Sequence, residues 1–469
     1  MVYGRESVGA DTSMGALSER KIEIVRTLVE TAPDKIVGSL RQALAETGDD
    51  TALGGVKRLV EFEVQDRTWR NTILGPVAPM CMASGDPRVM SFPPRVLALI
   101  WRGLRRVSPT VIERAQAPDE GAPVPVIFAV YDQLVATAAQ GLRERTEPEF
   151  RAAADLCDAR RPGDADVLAA CLDITPVVRR AMQRLAEWIT HPGGETSAAA
   201  RLAYKDAVEI DEDAGPRFFH MLAAQMAQPW MVLRIISAVM EKPTERYLRD
   251  SELSSFGEGV FEDVDKALVE IAKLDPDDGP AAGRGVAKQA ELIVQQVLEL
   301  ETCMDLQRDQ GWGLRVVKQR ASLAGVVERR LKEADKATLE ALPMVSARQA
   351  RGRRLVPDLS NPPEPRFVAR AMTLLSFSEE LHTTANYGGF SAARTKMIEK
   401  LSEYIHHYVE EVLDLIHTGD ADCVDTAAAF LEVAADFSHL IAGEKASELV
   451  RRRAHAAIHP DSHHLEAEG

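Results

Sequence analysis

Nine of the eleven histidines lie after residue 380, and several stand three or four residues from a carboxylate or from each other. Glu403, His406 and Glu410 form one such set, and Asp436 precedes His439 by three. Spacings of three and four place side chains on one face of a helix, as carboxylate-bridged metal centres in helical bundles require. Glu403, His406, Glu410 and His439 are therefore the candidate ligands of a metal-dependent helical enzyme or sensor. The same helix has its apolar stripe at Leu401, Ile405, Tyr408, Val412 and Leu415. Residues 403, 406 and 410 project nearly opposite that stripe, whereas a bundle site needs its ligands pointing inward. The competing expectation is a solvated face carrying short Glu–His pairs, and no cofactor is expected.

Basic residues make the second pattern. From Trp312 to Val356 the chain has eleven Lys and Arg against four acidic residues, +7 in a protein of net charge −16, so that everything else sums to −23. Arg348, Arg351, Arg353 and Arg354 crowd into one Pro-rich stretch. A cationic cluster of this kind pairs with a phosphate, an acidic protein surface or an anionic lipid, or with the acidic surplus of its own chain. Another basic amphipathic segment, Arg95 to Arg106, reads as an ordinary surface helix.

Other chemistry finds no support in the spacing. Gly283-Arg284-Gly285 lacks the phosphate-loop pattern and reads as a helix start. Asp275-Pro276-Asp277-Asp278-Gly279 lacks the register of a calcium loop. There is no G-x-S-x-G, H-E-x-x-H or kinase signature. The five cysteines are scattered, odd in number and without a C-x-x-C, which fits small buried residues in a thiol-reducing cytoplasm.

These residues must be positioned by helices. Apolar residues make up 45% of the 469, aromatics only 5%, and Ala, Leu, Arg and Glu dominate. The expectation is an all-α protein, a multi-helix bundle or α-solenoid-like array with a separate C-terminal helical domain. No apolar run reaches the ~20 residues of a membrane span, and the first residues lack the apolar segment of a signal peptide. Helices are predicted from Ser18 to Thr31, from Asp34 to Gly48, over 56–74 and from Arg95 onward. Between Val126 and Leu274 a succession of helices is punctuated by prolines, Pro176 among them. Val286, Ala290, Ile293, Val297, Leu300 and Met304 form a heptad-like seam, and Val317, Ala321, Ala324, Val327 and Leu331 a second, predicting an αα-hairpin around Asp309–Gly313.

The resulting organisation is a tail over 1–17, helical regions over 18–117 and 118–342, a Pro/Arg-rich linker over 343–365, a helical domain over 366–460 and a tail over 461–469. The first expectation for function is a cytoplasmic scaffold or adaptor that uses Arg348, Arg351, Arg353 and Arg354 to bind another protein with an acidic surface. The metal-dependent reading is the alternative. Nucleic-acid regulation through the same arginines is a third, although the overall charge repels phosphate.

Overall fold

The computed structural model describes residues 19–46, 53–83, 89–119, 121–190, 193–349, 352–419 and 423–459. They form an all-α, multi-helix fold with one two-stranded antiparallel sheet. The chain divides into two compact units, one ending at Lys242 and the next beginning at Pro243.

The helices of the first unit are α1 (Glu19–Thr31), α2 (Asp34–Ala45), α3 (Gly54–Ile73), α4 (Val96–Val107), α5 (Pro109–Gln116), α6 (Val124–Glu144), α7 (Pro148–Arg160), α8 (Asp164–Met182), α9 (Leu185–Thr190), α10 (Gly194–Ile210), α11 (Ala214–Ala224) and α12 (Val232–Met240). Among them α8 is central: α6, α7, α10 and α11 all pack on it. Leu168, Leu172, Ile174, Val177 and Val178 are buried around much of its circumference, as packing by helices on several sides demands. Pro176 does not end this helix, against expectation, but lies inside it. The proline removes one backbone donor, while its neighbour Thr175 turns its hydroxyl onto the Cys171 carbonyl at 2.9 Å. A small separate core of Val29, Val37, Leu44 and Val60 joins α1 to α2 and α3.

The second unit comprises α13 (Glu245–Arg249), α14 (Ser254–Ala272), α15 (Pro280–Cys303), α16 (Gly311–Ala341), β1 (Met344–Gln349), β2 (Gly352–Pro357), α17 (Pro365–Glu380), α18 (Ala385–Gly388), α19 (Ser391–Thr418), α20 (Val424–Ala442) and α21 (Glu444–Ile458). The predicted helix pair is present as α15 and α16, but α15 packs most extensively on α17. Gly283 permits this, since a Cβ there would lie 2.2 Å from the Thr373 carbonyl oxygen. The second seam is offset in its first half only, since Val327 and Leu331 are buried where predicted. Val317 and Ala321 are exposed, and the buried stripe runs Trp312, Val316, Gln319, Leu323 and Val327. Gln319 hides this stripe from a hydrophobicity reading: its amide donates to the Phe261 carbonyl at 2.9 Å and to Asp265, so a polar residue occupies a core position.

The expected linker over 343–365 lies within the second unit. It contains β1 and β2, and the helices on either side of it, α16 and α17, pack together. Residues 366–460 consequently share a unit with α13–α16, and the division at Lys242 falls inside the region read as 118–342. Glu241 and Lys242 both adopt positive φ, 55° and 60°, immediately before Pro243, which stops the helical path there.

Helix ends are closed by a recurring device. An arginine on one helix donates to the last carbonyls of another, which have no partner within their own helix. Arg67 reaches Val29 and Ala32 oxygens at the end of α1, at 2.7 and 2.8 Å. Arg179 reaches Ile73 at the end of α3 at 2.7 Å, Arg234 reaches Ile189 in α9 at 2.6 Å and Arg201 reaches Ala238 in α12 at 3.1 Å. In the second unit Arg330 serves Ala272 of α14 at 2.5 Å and Arg394 serves Ser378 of α17 at 2.8 Å.

Candidate functional site

The arginine-rich stretch is a β-hairpin. Its register pairs Val345 with Val356, Ser346 with Leu355, Ala347 with Arg354 and Arg348 with Arg353. The two connecting residues, Ala350 and Arg351, lie outside the described residues, as do the side chains of Arg348 and Arg353. At the base, the Asp358 amide donates to the Pro343 carbonyl at 2.9 Å, and the Tyr404 hydroxyl of α19 donates to the Leu342 carbonyl. Burial of Tyr404 pushes its hydroxyl up to about 12, so it stays protonated and keeps donating. Asp358 accepts from both the amide and the hydroxyl of Ser360, and these bonds hold its carboxyl below the usual range.

Of the four arginines, Arg354 has a visible internal partner. It forms an ion pair with Glu411 of α19, whose side chain is almost wholly buried, while His407 Nδ1 sits 3.8 Å from the same carboxylate. This pair pins β2 to α19. Each face of the hairpin exposes an apolar residue: Val345, on the face that bears Arg354, is 43% exposed, and Leu355, on the opposite face, 56%.

The candidate metal ligands are not gathered. Glu403 and His439 are exposed on α19 and α20. Glu410 is held by Arg453 of α21, with one oxygen at 2.8 Å from Nη2, and His406 Nδ1 lies 3.8 Å away on the other. The Arg453 hydrogen bond keeps the Glu410 carboxyl below its ordinary range. Among the described residues, no three His, Cys, Asp or Glu side chains are grouped so that they could hold a metal ion. The spacing was legible, and so was its outward direction.

Three further places have chemical character. A polar cavity of about 500 Å³ opens between α13 and the start of α16, lined by Thr244, Glu245, Arg249, Asp305 and Gln310 among others. Buried Glu245 fills its inner end, accepting from the amides of Trp312 at 2.6 Å and Gly313 at 3.2 Å. It thereby caps the 31-residue α16 with a carboxylate at the positive end of the helix. The sequence signal was Gly311-Trp312-Gly313. Gly311 has φ +53°, and a Cβ there would fall 1.8 Å from a Glu245 oxygen.

An apolar groove of about 170 Å³ lies among α19, α20 and α21, walled by Ile405, Val409, Ile441 and Val450. In the first unit, the Cys171 thiol approaches the Met90 thioether to 3.8 Å. Desolvation pushes the Cys157 and Cys171 thiols up to about 12 and Cys81 higher still. Protonated, buried thiols are poor nucleophiles.

No described helix is long and apolar enough to cross a membrane. No family model, curated protein or solved structure matches the chain.

Proposed function

We propose that this protein is a helical adaptor of the cytoplasm that presents the β1–β2 hairpin to an acidic surface on another protein. The observation that carries this reading is the hairpin itself. It is the one sheet among the described residues, it has four arginines and no acid in the fourteen residues from Met344 to Pro357, and it is tied to a rigid helix by a buried carboxylate. A positive element on a chain of net charge −16 steers an acidic partner to one place and repels it elsewhere. Five free cysteines, three of them buried, accord with a reducing compartment.

Copurification tests the reading. Tagged wild-type protein and a variant with Arg348, Arg351 and Arg353 changed to Glu are isolated from the native cell at low salt, and bound proteins are identified by mass spectrometry. Arg354 is left intact because it anchors the hairpin. The expected result is a partner with an acidic segment, captured by the wild type and lost from the variant. A partner set that is unchanged in the variant removes the hairpin from the reading.

A further inference from the structure

The hairpin is held from one side. β2 lies against α19 through the Arg354–Glu411 pair, whereas β1 pairs with β2 and, among the described residues, with no other strand. In an antiparallel ladder every second residue of an edge strand turns both its N–H and its C=O away from its neighbour, so the six residues of β1 offer about three such pairs to a newcomer. Val345 stands beside this open edge and is 43% exposed. An unpaired edge next to exposed apolar surface is a template for another strand.

We infer that β1 accepts an additional β-strand, and that its occupant is an extended acidic segment of another protein. The inference rests on the adaptor reading above and specifies how the contact is made. Charge selects among the occupants that an open edge would accept. The fourteen residues of the hairpin have a formal charge of +4, and Glu411 neutralises one of these at Arg354. A second copy of this chain would bring the same surplus of arginine to the same edge, and like charges across a ladder are destabilising. A nucleic acid matches the charge but has no peptide groups to continue the ladder. A segment alternating acidic and apolar residues satisfies the charge, the backbone edge and Val345 together, since successive strand side chains point to opposite faces.

The test uses full-length protein and a fluorescent peptide of about eight residues alternating Glu and Val, long enough to cover an ordinary strand. A second peptide has the same sequence with every backbone nitrogen methylated, so that the charge is kept and the ladder donors are removed. Binding is followed by fluorescence anisotropy, and backbone amide exchange locates the contact. The expected result is saturable binding of the first peptide with slowed exchange in 344–349, binding roughly ten-fold weaker for the methylated peptide, and loss of binding in an Arg348→Glu, Arg353→Glu variant.

Equal binding of both peptides overturns strand addition while leaving a charge-based adaptor standing. Protection in 352–357 without protection in 344–349 overturns the assignment to β1. Binding that survives charge reversal overturns the acidic occupant. A single-stranded oligonucleotide that binds more tightly than the peptide overturns it in favour of phosphate. Failure of both peptides to bind overturns it too, and the copurification experiment then decides independently whether the adaptor reading survives.

Discussion

Arg179 shows how far single side chains organise this protein. Its guanidinium is buried in the first unit, donating to the Ile73 and Thr72 carbonyls, facing Asp132 at 3.3 Å and lying over the rings of Phe128 and Tyr131 at 5.6 and 5.3 Å. A planar fork suits this set of partners, and a lysine could satisfy only part of it. Arg179→Met is expected to destabilise the first unit by about 3 kcal/mol, because the Asp132 charge and the end of α3 lose their donor; urea unfolding of the variant measures this. His220 on α11 sets a pH limit. Burial lowers its pKa from an ordinary value of 6.5 to about 4, so the folded chain keeps it neutral where the unfolded chain takes up a proton. Its contribution is fully present above pH 6.5 and is lost as pH falls toward 4, by at most roughly 3 kcal/mol. Urea midpoints measured across that range should fall with acid in the wild type and fall less in His220→Gln. A slope unchanged by the substitution would assign the acid sensitivity to other groups.

At the scale of elements, α4, α6 and α7 meet at Phe150. The ring of this α7 residue lies against Gly103 of α4 and Gly141 of α6, where a Cβ would come within 2.9 and 2.5 Å of it. Gly141→Ala is therefore expected to cost about 1–3 kcal/mol by overpacking, and Phe150→Leu in the same chain should recover part of the loss by giving up the ring. Thermal unfolding of the two single variants and the double variant tests the coupling; strictly additive losses would show that the ring and the glycine do not compete for space. The ends of α1 and α3 and the start of α4 were legible because Pro33, Gly75-Pro76 and Pro93-Pro94 break the helical path beside them, while Ser18, the cap expected for α1, lies outside the described residues. The hairpin was not. Its connection, Ala350-Arg351, lacks the Asn-Gly or Asp-Gly pair that marks tight hairpins, and four arginines blur the alternation of strands. Composition showed that the segment is basic, and it could not show that Arg354 is paired to a helix fifty-seven positions along the chain.

On the scale of the whole molecule, prolines proved to be weaker punctuation than they look. Five of them between 343 and 365 mark a hairpin and its exit within one unit, while the division between units has a single Pro243 preceded by two left-handed residues. Each unit has its own buried residues, with α8 at the heart of the first and the α15–α17 contact in the second. Residues 19–242 and 243–459, produced separately, are expected to fold with cooperative thermal transitions and near-native helical circular dichroism. A fragment that stays unfolded on its own would mean that its core depends on the other.

The first residues of the second unit are fastened as soon as they enter it. Asp305 donates its amide to Pro243 and accepts from the Glu245 amide, both at 3.2 Å, in a parallel bridge, and two residues of α16 are held by the Glu245 carboxylate. A pull on the chain at Lys242 therefore meets these bonds together and not one after another. Through the Glu245 carboxylate, tension arriving there is shared with the first turn of the 31-residue α16, which makes the entry to the second unit a mechanical anchor.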